Sequence, residues 1–276
     1  MTAQTEISNM ALFCDFENIA LGVRDAKFAN FEIGRVLERL LLKGSIVVKK
    51  AYCDWERYKE FKTAMHEASF ELIEIPHVRQ SGKNSADIRM VVDALDLCYT
   101  KSHVDAFVII SGDSDFSPLV SKLRENNKYV IGIGVRDSTS DLLAANCDEF
   151  IFYDDLVRAQ KRKRKPTERK TSAKPAAGGS ATADSARNDE DKRQEALDFI
   201  VETIEALNAE RGDEEKMWGS MVKQTMKRRR PGFTESAYGY RSFRELVEDA
   251  QRHKLLTMVR DEKSGQYTIH LPSGQA

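Results

Sequence analysis

The sequence predicts an α/β domain built on a mostly parallel sheet, followed by a small C-terminal domain of three helices and a hairpin. Two observations lead there. Over residues 1–157, short apolar runs rich in β-branched residues alternate with stretches whose apolar positions repeat at helical spacing. Past a polar stretch rich in Ala, Ser and Gly, the pattern changes to three helical stripes and then two short strands.

Met10–Cys14 is an apolar run that ends at Asp15 and reads as the first strand. Phe31–Leu42 carries Ile33, Val36, Leu37, Leu40 and Leu41 at helical spacing. Ser45–Tyr52 is a strand, Glu56–Ser69 a helix, and Phe70–Ile75 a strand closed by Pro76. In Ser85–Tyr99, residues Ile88, Val91, Val92, Leu95 and Cys98 share one helical face. Ala106–Ile110 is wholly apolar, as a strand covered on both faces must be. Ser117–Glu125 is a helix with Pro118 in its first turn. Lys128–Val135, Thr139–Asn146 and Glu149–Phe152 follow as strand, helix and strand.

Residues 158–190 read as a basic and low-complexity flexible linker. Lys161–Lys165 is an unbroken run of cations, and 171–189 holds too little apolar surface to order itself. Residues 191–276 form the second domain. Ala196, Phe199, Ile200, Ile204 and Leu207 make one helical stripe, Trp218–Met226 a second helix, and Ser242-Phe-Arg-Glu245 a capping box that opens a third, through Arg252. Strands at Leu255–Val259 and Gln266–His270 complete the order of a winged helix-turn-helix.

Charge is split between the halves. Residues 1–157 hold 18 Lys/Arg against 25 Asp/Glu, whereas 158–276 hold 25 against 19. An acidic domain that handles a polyanion needs cations to mediate, and a basic appendage can bring the polyanion to it. No apolar run reaches the ~20 residues of a membrane helix, and Met1–Met10 lacks the basic flank and apolar core of a signal peptide. Cys14, Cys53, Cys98 and Cys147 are scattered and form no CxxC. They read as reduced thiols of a cytoplasmic protein without membrane attachment. Oligomeric state is open.

Chemistry concentrates in aspartates. In an open parallel sheet, ligands bind beyond the carboxyl ends of the strands. Asp15 ends the first strand, and Asp113 and Asp115 follow Ala106–Ile110 in Ser111-Gly-Asp-Ser-Asp115. Asp87 opens the helix after Pro76 and reaches the same edge. Crowded carboxylates repel, and a hard dication such as Mg²⁺ or Mn²⁺ relieves that repulsion. Two such ions, about 3.5–4 Å apart, support attack of water on a phosphodiester. Gly112 would let the turn approach the metal, and Asn18 would add an amide oxygen or orient the water. Taken singly, Asp87 and Asp115 are better read as helix caps than as ligands. The convergence of three segments is what carries the site.

Three segments together, Phe13-Cys-Asp-Phe-Glu-Asn18, Lys83-Asn-Ser-Ala-Asp87 with Asp93 beyond it, and Ile110-Ser-Gly-Asp-Ser-Asp-Phe116, resemble the NYN domain of the PIN-like nucleases. The resemblance covers about residues 8–155. It implies a Rossmann-like sandwich and metal-dependent cleavage of single-stranded or structured RNA. By position, Asp15, Asp87, Asp113 and Asp115 correspond to the metal-site acids and Asn18 to the accompanying amide. Asp93 and Asp137 are secondary candidates. The C-terminal segment, with Trp218-Gly-Ser, Phe233, Tyr238-Gly-Tyr-Arg-Ser-Phe243, Leu246 and Tyr267-Thr-Ile269, resembles the OST-HTH or LOTUS domain, which implies RNA binding and protein partners.

Cations for phosphate contact are expected at Lys223, Lys227, Arg228, Arg229 and Arg230, at Arg241 and Arg244, and at Arg252 and Lys254. In the first domain Arg79, Lys83 and Arg136 are the candidates, and His77 reads as structural. Phe233, Tyr238 and Tyr240 are candidates for stacking on bases, with Tyr240 and Phe243 also read as core. The expected function is a metal-dependent ribonuclease with its own RNA-binding module. The alternative is a non-catalytic RNA-binding or regulatory protein with a structural metal pocket. A phosphatase-like reading lacks the Thr and Lys that such a site needs.

Overall fold

A computed structural model describes residues 8–75, 85–163, 181–211, 216–261 and 266–272, without the side chains of 159–163 and 181–189. The chain divides into two compact units, residues 1–168 and 169–276.

In the first unit the elements run β1 (Asn9–Asp15), α1 (Phe16–Asp25), α2 (Ile33–Lys43), β2 (Ser45–Cys53), α3 (Lys59–Glu67), β3 (Glu71–Glu74), α4 (Ser85–Thr100), β4 (Ala106–Ile110), α5 (Ser117–Glu125), β5 (Tyr129–Gly134), α6 (Asp141–Asn146), β6 (Glu149–Phe152) and α7 (Tyr153–Lys163). The six strands form one sheet in the order β3-β2-β1-β4-β5-β6, every pair parallel. β1 and β4 lie at the centre, which is why their sequences are almost unbrokenly apolar.

Side chains alternate across the sheet. Met10, Leu12, Cys14, Ala106, Val108 and Ile110 join residues of α1, α2 and α7 in one core layer. Ala11, Phe13, Phe107 and Ile109 join Met90 and Ala94 of α4 and Leu119, Val120 and Leu123 of α5 in the other. The chain therefore builds a three-layer sandwich from a period of two in the strands and about 3.6 in the helices. Successive strands step one way from β1 to β3 and the other way from β4 to β6. The reversal lies between β1 and β4, where such sheets open a crevice at their carboxyl edge.

Three local differences from the sequence reading have physical causes. Residues 16–25, left unassigned above, form α1, which buries Phe16, Ile19 and Val23 against the sheet. Its Gly22 and early stop hide the helical period. α3 begins at Lys59 rather than Glu56, because Asp54–Arg57 turns back on itself, with the Arg57 N–H on the Asp54 carbonyl at 3.0 Å. The stretch 158–190 is not one unstructured linker. α7 runs on to Lys163, and the first helix of the second unit begins at Ala181. Helix propagation costs little in a segment this rich in Ala, once the packed turns beyond it have nucleated the helix.

The second unit holds α8 (Ala181–Arg211), α9 (Gly219–Arg229), α10 (Phe243–Arg252) and an antiparallel pair, β7 (Thr257–Arg260) and β8 (Tyr267–His270). Its core joins Phe199, Ile200 and Ile204 of α8, Val222 and Met226 of α9, Leu246 and Val247 of α10, and Ile269. Ser242 Oγ accepts from the Glu245 N–H at 3.2 Å, as the capping box requires. The return bond from Glu245 lands one residue early, on the Arg241 N–H. β8 gains a further neighbour where Trp218 bridges to Thr268 and the Ile269 N–H donates to the Met217 carbonyl at 2.8 Å. Among the described residues no helix is long and apolar enough to cross a membrane.

α2 has no side chain of its own capping its start. The fully buried Tyr153 takes that role, its hydroxyl accepting from the Glu32 N–H at 2.8 Å. Tyr153→Phe should leave that donor unmet and cost about 1–2 kcal/mol, read as a lower denaturant midpoint with an unchanged slope. An unchanged midpoint would show that water replaces the hydroxyl.

Candidate active site

The crevice at the sheet reversal is walled by carboxylates. Asp15, Asn18, Asp87 and Asp113 line a cavity of about 250 Å³ together with Glu17, Leu21, Tyr52, Cys53, Asp54, Ile75 and Ala86. Asp15 is held hardest. It ends β1, caps α1 and is 7% exposed. One carboxylate oxygen accepts from the Asn18 N–H at 3.3 Å, and the other accepts from the Ser111 hydroxyl at 3.0 Å. Ser111 sits at the end of β4, so this bond ties the two strands across the crevice.

The turn after β4 is wound by the same chemistry. Ser111 Oγ also accepts from the Asp113 N–H at 3.2 Å, and Asp113 Oδ1 accepts from the Asp115 N–H at 3.0 Å. The Gly112 N–H donates to Asn18 Oδ1 at 2.9 Å. One lone pair of its amide oxygen is thereby engaged with the backbone, and its NH₂ carries donors that can orient a water. Gly112 is required by packing: a Cβ there would stand 2.4 Å from the Ser138 carbonyl oxygen.

Electrostatics bind the acids into one system. Burial first, and then the Asp87 charge, raise the Asp15 carboxyl to about 7, against the opposing bonds from Asn18 and Ser111. Burial, and then Asp113, Asp115 and Glu17, raise Asp87 to about 6. Asp115 thus acts on the crevice through its field. The thiols nearby respond alike. Burial and the neighbouring Asp15 push Cys14 up, and burial with Glu17, Asp15 and Asp54 pushes up Cys53.

The donor set suits a hard dication: carboxylate oxygens gathered at one sheet edge. Among the described residues, no three Asp, Glu, His or Cys side chains stand close enough to hold an ion as they are. Asp15 and Asp113 are tied by the bonds above, whereas Asp87 has no such bond among the described residues.

Other candidates fall elsewhere. Asp93 accepts from the Tyr52 hydroxyl at 2.9 Å and pairs with Arg89 at 3.1 Å and Lys50 at 3.4 Å, a structural network. Asp137 is exposed in the turn Arg136–Ser138 and does not line the cavity. Arg136 is exposed, pairs with Asp155 at 2.8 Å and lies over the Phe152 ring, a surface pair that a phosphate can displace. His77, Arg79 and Lys83 lie outside the described residues. Sequence reasoning missed Ser111, Glu17 and Asp54. Asp54 follows the carboxyl end of β2, so the rule that placed Asp15 and Asp113 would have found it.

In the second unit, Arg229 turns inward to Glu202 at 2.7 Å and to the buried Thr203 at 2.9 Å. It is a structural ion pair rather than a phosphate contact. Arg228 donates to Thr225 at 3.0 Å. Arg230 pairs with Glu195, Arg244 with Glu248, Lys223 with Glu235 and Arg252 with Asp249. The Arg230, Arg244 and Arg252 pairs are surface pairs of small worth that a phosphate can displace. Lys227 and Arg241 are exposed. Lys254 lies just past α10 with φ of 59°. Tyr240 and Phe243 are core, as is Phe233, on which Tyr238 stacks.

Folded Asp15 keeps its proton to about pH 7, while in an unfolded chain it would lose it near its ordinary value of 3.8. Folding therefore takes up a proton between those values, and stability falls as pH rises through them. In chelator, the thermal midpoint should drop from pH 5 to pH 8, and Asp87→Asn should shrink that drop. A drop of the same size in the variant would show that the crevice acids are uncoupled.

A family model for the NYN domain matches residues 9–154. An uncharacterized protein of Methanocaldococcus jannaschii is 26% identical over 140 residues, which are 49% of this chain and 55% of that protein. The chain thus spans about half the length of this curated relative. A crystal structure of a protein of unknown function from Vibrio parahaemolyticus superposes with a TM-score of 0.48 and 26% identity, over 56% of this chain and 98% of that one. With its matched segment running from the start of β1 to the start of α7, and its acids at the sheet reversal, the chain belongs to the NYN domain family, within the PIN-like nuclease superfamily.

Proposed function

We propose that the first unit is a metal-dependent ribonuclease and that the second is a winged-helix module of the OST-HTH type that holds the RNA. The observation that supports the first half is the bond between Asp15 and Ser111, which fixes an acid of β1 against the turn that carries Asp113. Asp15, Asp87 and Asp113 would hold Mg²⁺ or Mn²⁺, with Asp115 reinforcing the negative field at Asp87. When bound, such an ion supplies an activated water and charge neutralisation at the scissile phosphate.

The chain's own groups do the rest. Asp113 keeps Oδ1 on the Asp115 N–H, which leaves Oδ2 for the crevice. Asn18 offers its NH₂ to a non-bridging phosphate oxygen, since its Oδ1 is held by Gly112. Asp15 stays rigid because both of its oxygens are bonded. For the second unit, three helices followed by a hairpin and the surface-paired cations of α9 and α10 support RNA contact.

The alternative is a non-catalytic RNA-binding or regulatory protein in which the same acids hold a structural ion. The two readings separate on labelled RNA with Mn²⁺ or Mg²⁺. Wild type should cleave, chelator should stop cleavage, and Asp113→Asn should lose about 100-fold or more in rate while melting as a folded protein. Unchanged cleavage by Asp113→Asn would overturn the site. Deleting 169–276 should weaken RNA binding more than it slows turnover of short, saturating RNA. Unaffected binding would assign the second unit to protein partners instead.

A further inference from the structure

α4 presents two apolar faces where one suffices. Met90, Ala94 and Cys98 point into the core and are at most 6% exposed. Around the helix by roughly 130°, Ile88, Val92 and Tyr99 are 63%, 55% and 61% exposed, and the half-buried Leu95 lies between them. The spacing 88, 92, 95, 99 steps by four, three and four. That is the spacing of a seam that packs against another helix.

Charges beside the seam indicate the occupant. Arg89 and Asp96 flank it on one side, seven residues apart. Asp96 is exposed, and its carboxylate has no cation partner among the described residues. Arg89 reaches Asp93, but Asp93 is already met by Lys50 and the Tyr52 hydroxyl, so the guanidinium retains donors for another acid. Set two copies of α4 antiparallel about a two-fold axis midway between Val92 and Leu95. Ile88 then faces Tyr99 of the second copy, Val92 faces Leu95, and each Arg89 falls beside the other copy's Asp96. Every pairing occurs twice, as an isologous contact requires.

We propose that the protein self-associates through α4 as an antiparallel two-fold dimer. α4 is 16 residues, about 24 Å long. A single helix against its copy lies at the small end of specific interfaces, so association is weak and concentration-dependent. Because Asp87 precedes Ile88 in α4, the antiparallel arrangement carries the two crevices to opposite ends of the helix pair. The proposal does not depend on the nuclease reading.

Sedimentation equilibrium of the full chain between about 1 and 100 μM should show a reversible monomer–dimer equilibrium in that range. Val92→Glu, at an exposed position, should weaken it at least tenfold while far-UV circular dichroism and melting stay unchanged. Arg89→Asp and Asp96→Arg should each weaken it, and the double swap should restore it. A monomer throughout, whether the seam is bare or covered by the second unit, overturns the proposal. So does a dimer that Val92→Glu leaves intact, or single swaps that cost as much as the double.

Discussion

Mutual repulsion among carboxylates at one sheet edge is the constraint around which the first unit is arranged. Parallel strands on either side of a reversal deliver their ends to the same crevice, and here the two central strands deliver Asp15 and the turn bearing Asp113. Left alone, such groups would splay or protonate. The fold meets them with fixed donors: the Ser111 hydroxyl, the Asn18 N–H and the Asp115 N–H. These neutral donors lower the cost without removing it: burial first, and then the neighbouring acids, still raise Asp15 and Asp87 well above the usual carboxylate range.

Much of this was legible in residue order. The all-apolar Ala106–Ile110 had to be a central strand, and a rule about strand ends then placed Asp15 and Asp113. Asn18 was found, but its orientation was not, because that depends on a backbone N–H 94 residues away. Ser111 reads locally as a turn residue, and only the adjacency of β1 and β4 makes it a partner of Asp15. α1 was hidden because Gly22 interrupts its apolar stripe.

The second unit repeats the lesson with charge. The run Lys227–Arg230 reads as one basic patch, yet helix geometry sends its members to different surroundings. Arg229 faces α8 and Glu202, Arg230 pairs with Glu195 and covers Phe199, and Lys227 faces solvent. Sequence alone counts cations. Which of them remain available to a polyanion is decided by the acids on the neighbouring helix.

The Cys53 thiol at the crevice wall has a consequence for the chain's durability. Burial, and then the charges of Glu17, Asp15 and Asp54, push its titration up and keep the sulfur protonated. A protonated, buried thiol is a sluggish target for oxidants. The wall of the crevice is thereby kept from the oxidative damage that an exposed thiolate would invite.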